Sequence, residues 1–71
     1  MAERESKRAL AEVAEMLGTD TVAARAYLRR VQHLAGPAPY ESIAQAMRKV
    51  DGYAAEQVAA VIADERPQTG G

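Results

Sequence analysis

Several residue types and patterns are missing from this sequence of 71 residues. It has no cysteine, which excludes a disulfide framework and a thiolate zinc site and agrees with an expected cytoplasmic location. No apolar run approaches the roughly 20 residues that a membrane-spanning helix needs, so we expect no membrane partner. The N-terminal segment MAERESKRALAE mixes charges of both signs without an apolar stretch, and we therefore expect no secretory signal.

Groups suited to catalysis are also scarce. There is one histidine, and the carboxylates are scattered over positions that we expect to face solvent. No triad, dyad or metal cluster can be assembled from these residues, so we expect no enzymatic activity, no metal, no cofactor and no small-molecule ligand. The net charge of −1 gives no attraction of the whole chain to nucleic acid, which leaves local charge as the feature to examine.

The apolar residues are mostly alanine. There are sixteen alanines and neither phenylalanine nor tryptophan. Alanine favours helix more than any other residue but contributes little area to a core. We therefore expect an all-α protein with a thin core, and a homodimer or an obligate partner more often than a free monomer.

Apolar residues spaced at i, i+3, i+4 and i+7 predict a small four-helix bundle. Helix breaks are predicted at Gly18, at Gly36–Pro39 and at Asp51–Gly52. We expect a single helical domain over residues 1–66, a disordered tail over 67–71, and an αα-hairpin formed by the first two helices. The predicted helices are Ala2–Leu17, Thr21–Leu34, Tyr40–Val50 and Tyr53–Glu65.

The second predicted helix has two different faces. The face predicted to point inward is apolar, whereas the outer face is polar and basic. No acidic residue occurs between Thr21 and Tyr40, so neighbours in sequence do not neutralise the arginines. The inward set is Ala24, Tyr27, Leu28, Val31, Leu34 and Ala35, and the outward set is Arg25, Arg29, Arg30, Gln32 and His33.

The first two helices and their turn carry a motif. Ala14 lies four residues before the turn residue Gly18, the second helix begins near Thr21, and Ala24 and Tyr27 are predicted to face inward. This pattern resembles the helix-turn-helix of bacterial regulators, in which a small residue lets the second helix pack across the first.

The resemblance implies binding of double-stranded DNA. The outer face near the start of the second helix would enter the major groove. The residues that would read bases or contact phosphates are Thr21, Val22, Arg25 and Arg29, with Arg30 and His33 adding to the phosphate contacts. The same residues also fit ordinary hairpin packing, with a solvated basic face that is paired loosely with glutamates of a neighbouring helix.

An alternative function is that of a docking, adaptor or assembly domain. Its thin core and acidic second half would bind the helix of another protein in a groove rich in alanine and valine. The residues assigned to this partner interface are Tyr40, Ile43, Met47, Val58 and Val61.

Overall fold

The first helix begins where a serine caps it. The computed structural model of the protein describes residues 6–65, and α1 spans Lys7–Leu17. Ser6 has an extended backbone, and its Oγ accepts a hydrogen bond of 3.1 Å from the backbone N–H of Ala9. This N-cap makes Lys7 the first helical residue in place of the predicted Ala2. Residues 2–5 of that prediction lie outside the described residues, as do the predicted domain end at 66 and the predicted tail at 67–71.

The chain forms four helices within the described residues, and the predicted all-α four-helix bundle is confirmed. α2 is one residue longer than predicted, α3 is three residues shorter, and α4 starts two residues later. The three helices after α1 span Thr21–Ala35 (α2), Tyr40–Met47 (α3) and Ala55–Glu65 (α4).

The predicted end of α3 and the predicted start of α4 are both wrong, and the backbone between the two helices explains why. The Arg48 N–H is shared between the carbonyl groups of Ala44 and Gln45, and Val50 N–H donates to Met47, three residues back. This tightening ends the α-helix before the predicted Val50. Tyr53 has a φ of 55°, a left-handed conformation that a right-handed helix does not contain. α4 therefore cannot begin at the predicted Tyr53.

α2 packs against each of the other three helices, and α3 also packs against α1 and α4. Seventeen buried apolar residues among residues 6–65 form the core, and nine of them are alanines, so the helices must approach one another closely to exclude water. No polar side chain within residues 6–65 is buried. The largest fully buried side chains are Leu28, Ile43, Met47, Val13, Val31 and Val58.

Two predictions about the faces of α2 are wrong. Leu34 was predicted to point inward, but 46% of its surface is exposed. The buried stripe of α2 consists of Ala24, Leu28, Val31 and Ala35, and Leu34 lies roughly a quarter-turn away from its centre. Gln32 was predicted to point outward, but it is half-buried, and its Nε2 donates a hydrogen bond of 2.8 Å to the Ala38 carbonyl. This bond connects α2 to residues 37–39, the proline corner that leads into α3.

Candidate nucleic-acid interface

The turn between α1 and α2 has a defined hydrogen-bonded geometry. Gly18 is left-handed, with φ 70° and ψ 40°, and its N–H donates to the Glu15 carbonyl at 3.1 Å. The Thr19 N–H donates to the Ala14 carbonyl at 2.9 Å. These two bonds form a Schellman motif, which satisfies carbonyl groups at the end of α1. The chain therefore leaves α1 in a fixed direction.

The start of α2 is fixed as well. Asp20 is its N-cap, and the carboxylate accepts a hydrogen bond of 2.9 Å from the backbone N–H of Ala23. Only Gly18, Thr19 and Asp20 separate the two helices. Capping at both sides of this three-residue turn holds α1 and α2 in one relative orientation.

Small residues lie on the buried faces of both helices. Ala14 on α1 and Ala24 on α2 are both buried in the core, and Ala24 has no exposed surface. Tyr27 is half-buried against the edge of the core. These are the positions at which the helix-turn-helix resemblance requires small or inward residues. Burial at these positions is expected both for a helix-turn-helix and for an ordinary αα-hairpin.

Six residues of α2 were predicted to contact DNA, and the name outer face is used for these six residues from this point on. Each of them is exposed, so their side chains are accessible to a partner. Val22 is the most apolar of these residues and has 78% of its surface exposed. The six are Thr21, Val22, Arg25, Arg29, Arg30 and His33.

One arginine of this face is paired with an acid of another helix. Arg30 Nη2 lies 3.2 Å from Glu56 Oε2, and both side chains are about two-thirds exposed. A hydrogen bond from its own backbone N–H and then the Arg30 guanidinium lower the pKa of the Glu56 carboxyl below its ordinary value. An exposed pair of this kind contributes little to stability, so Arg30 remains able to exchange partners.

Two other acids of the described residues are paired with cations outside α2. Glu65 pairs with Lys49, which follows α3, and Glu12 on α1 pairs with Arg48. Within residues 6–65 the Arg29 side chain makes no ion pair. Arg29 therefore keeps a positive charge that no ion pair within residues 6–65 offsets.

The residues assigned to the alternative partner interface have a different position from the one expected. Ile43, Met47 and Val58 have no exposed surface, and Tyr40 is 2% exposed, because all four belong to the core of the chain itself. Val61 is half-buried against that core. A partner helix could reach the four buried side chains only by displacing a helix of the bundle, and they do not line an open groove.

An open groove occurs nearby, at residues for which the sequence predicted no site. It has a volume of about 350 Å³ and lies between the proline corner, α3 and α4. The spacing of apolar residues in the sequence does not predict this groove, because the groove depends on how the proline corner lies beside α4. The lining residues are Pro37, Ala38, Pro39, Ser42, Gln45, Ile62 and Glu65.

The described residues contain neither a membrane-spanning helix nor a cluster of metal ligands. No helix in this part of the chain combines the length and hydropathy needed to cross a bilayer. Nor do three or more histidine, aspartate or glutamate side chains come together there in an arrangement that could hold a metal ion.

Comparisons of the chain with protein-family models, with curated proteins and with solved structures found no match. The class that the fold defines is a small all-α protein of four helices within its described residues. Its functional interpretation depends on the geometry of the turn between α1 and α2 and on the charge of the outer face.

Proposed function

We propose that this chain is a small, non-enzymatic DNA-binding protein of the helix-turn-helix type. In this proposal α2 enters the major groove of double-stranded DNA. Thr21, Val22 and Arg25, near its N-terminal end, lie against base edges, while Arg29, Arg30 and His33 reach phosphates. Two copies bind as a homodimer, which extends the thin core and doubles the number of contacts.

A single observation carries the proposal, namely the combination of a rigid turn with an exposed basic helix after it. The Schellman motif at Gly18 and the Asp20 cap fix α2 relative to α1, so the outer face is presented as a preformed surface. Arginine suits this surface because its planar fork of donors matches a phosphate. A preformed surface avoids part of the ordering cost of binding.

Salt dependence tests the proposal directly. Two or three neutralised phosphates, the third where Arg30 leaves Glu56, give a slope of about −1.8 to −2.7 for log K against log[salt] per protomer, at about −0.9 per contact. A gel shift with a pool of random 20-base-pair duplexes at low salt should retard DNA, and Arg29→Ala should flatten the slope by about 0.9. Absence of retardation for every duplex would refute the proposal.

Arg8→Ala is the matched control for this experiment. Arg8 is an exposed residue of α1 that faces Glu12 and Glu41 and not the outer face of α2. Arg8→Ala removes the same unit of charge as Arg29→Ala. The salt slope of DNA binding by Arg8→Ala should nevertheless stay near that of the unsubstituted protein. Equal effects of the two substitutions would indicate non-specific attraction and no role for the outer face.

The groove beside the proline corner favours a second candidate function, a docking or adaptor domain. Ile62 offers apolar surface there, and Ser42 and Gln45 offer hydrogen-bonding groups. A partner helix or peptide would bind in this groove instead of at the buried residues first assigned to it. Its affinity would depend on Ile62 and change little with salt, which separates it from the DNA proposal.

A further inference from the structure

Val22 is an apolar residue at an exposed position, where its side chain does not help to form the core. It lies in the first turn of α2, and its neighbours Thr21 and Ala23 are exposed as well. With 78% of its surface exposed, it contributes almost nothing to the core. Valine is also a poorer helix former than alanine. The stability of the bundle therefore gives no reason for valine at this position.

The side chain is nevertheless held rigidly. A β-branched residue in a helix has one strongly preferred χ1 rotamer. The Asp20 cap bonds the Ala23 N–H at 2.9 Å, and this fixes the turn of helix that carries Val22. The two methyl groups are thus presented to solvent in one direction, as a contact surface requires.

The surroundings of Val22 indicate what kind of surface it meets. Ala26 is exposed one turn further along α2, and it is small enough to let another surface approach closely. Arg29 lies on the same stripe, roughly 10 Å beyond Val22 along the helix axis. A partner that uses both groups would offer an apolar group within a close-fitting surface and a negative charge about 10 Å away.

The major groove of DNA offers both the apolar group and the nearby negative charge. The C5-methyl group of thymine is the one apolar group that unmodified base pairs present there, and phosphates flank the groove. We propose that Val22 is a specificity-determining residue that packs against a thymine methyl while Arg29 contacts a phosphate. This inference rests on the proposed DNA-binding function and adds to it a preference for thymine at one position of each half-site.

Replacement of thymine by uracil tests this inference, since it removes the methyl group and leaves every hydrogen-bonding group of the base pair unchanged. A duplex is first selected from the random 20-base-pair pool, and each of its thymines is then changed to uracil in turn. At one position per half-site we expect affinity to fall about three- to fivefold, as for one buried methyl group. In Val22→Ala the same change should have almost no effect.

Leu34→Ala is the matched control, because Leu34 is the other exposed large apolar residue of α2 and lies on a different side of the helix. It should keep the full difference between thymine and uracil. The inference is overturned if no thymine is sensitive, or if Val22→Ala keeps the difference. In either case DNA binding that still depends on Arg29 leaves the proposed function intact. If no duplex is selected at all, the proposed function fails, and this inference with it.

Discussion

The Tyr27 hydroxyl donates a hydrogen bond of 2.7 Å to the backbone carbonyl of Tyr53, 26 residues further along the chain. The donor is on α2, and the acceptor is in the turn between α3 and α4. Tyr53 is the one residue other than glycine within 6–65 that has a positive φ, a costly conformation for a bulky side chain. The bond therefore joins the helix that bears the basic face to the most strained backbone position described.

Removal of this hydroxyl should weaken the whole bundle. Tyr27→Phe leaves the Tyr53 carbonyl without its partner in a partly buried position, and we expect the free energy of unfolding to fall by about 1 kcal/mol. Urea denaturation measures the loss. Tyr53→Phe is the matched control because the acceptor is the backbone carbonyl, which that substitution retains. Equal losses in the two variants would contradict a specific role for the bond.

Stability at alkaline pH should depend on the same residue. Burial, and then the nearby charge of Glu56, raise the pKa of Tyr27 above its ordinary value of 10.0. A raised phenol pKa means that the folded state favours the protonated form, so this contribution is complete below pH 10 and is lost as pH rises through the folded-state pKa. The difference in unfolding free energy between the unsubstituted protein and Tyr27→Phe should therefore shrink above about pH 10. A difference that stays constant up to pH 12 would contradict the shift.

The turn that orients α2 should tolerate asparagine better than alanine. Gly18 has a φ of 70°, and a Cβ built on it meets no atom within 4 Å, so any cost comes from the backbone conformation and not from a clash. Gly18→Ala should lower the free energy of unfolding by about 1–2 kcal/mol. Gly18→Asn should lower it less, since asparagine adopts left-handed conformations more readily. Equal stability of all three proteins in thermal denaturation would rule out a left-handed turn.

Local signals in the sequence were sufficient for the parts of the fold that local chemistry controls. Glycine at position 18 predicted the end of α1, and aspartate, which stands at position 20 and caps α2, is a residue type that commonly caps helices. Both features depend on the conformational preferences of one or two residues. The apolar spacing likewise predicted four helices, because each needs one face for the core.

Features that depend on distant neighbours could not be predicted in this way. Leu34 has the spacing of an inward residue, but whether the edge of a helical stripe is covered depends on the position of the adjacent helices. The pairing of Arg30 with Glu56 joins residues 26 positions apart, and nothing in the local sequence selects that partner. The groove beside Pro37 and Pro39 depends in the same way on how the corner sits against α4.

The pairing of Arg30 with Glu56 should limit DNA binding. Glu56→Gln removes the carboxylate that holds Arg30 and should make one more guanidinium available to phosphate, which steepens the salt slope by about 0.9 per protomer. Glu65→Gln is the matched control, because it removes the same charge from the same helix roughly 13 Å further along its axis, where the partner is Lys49. That variant should raise affinity slightly through net charge without a comparable change in slope. Fluorescence anisotropy titrations of the selected duplex at several salt concentrations measure both quantities, and an equal change of slope in the two variants would contradict competition for Arg30.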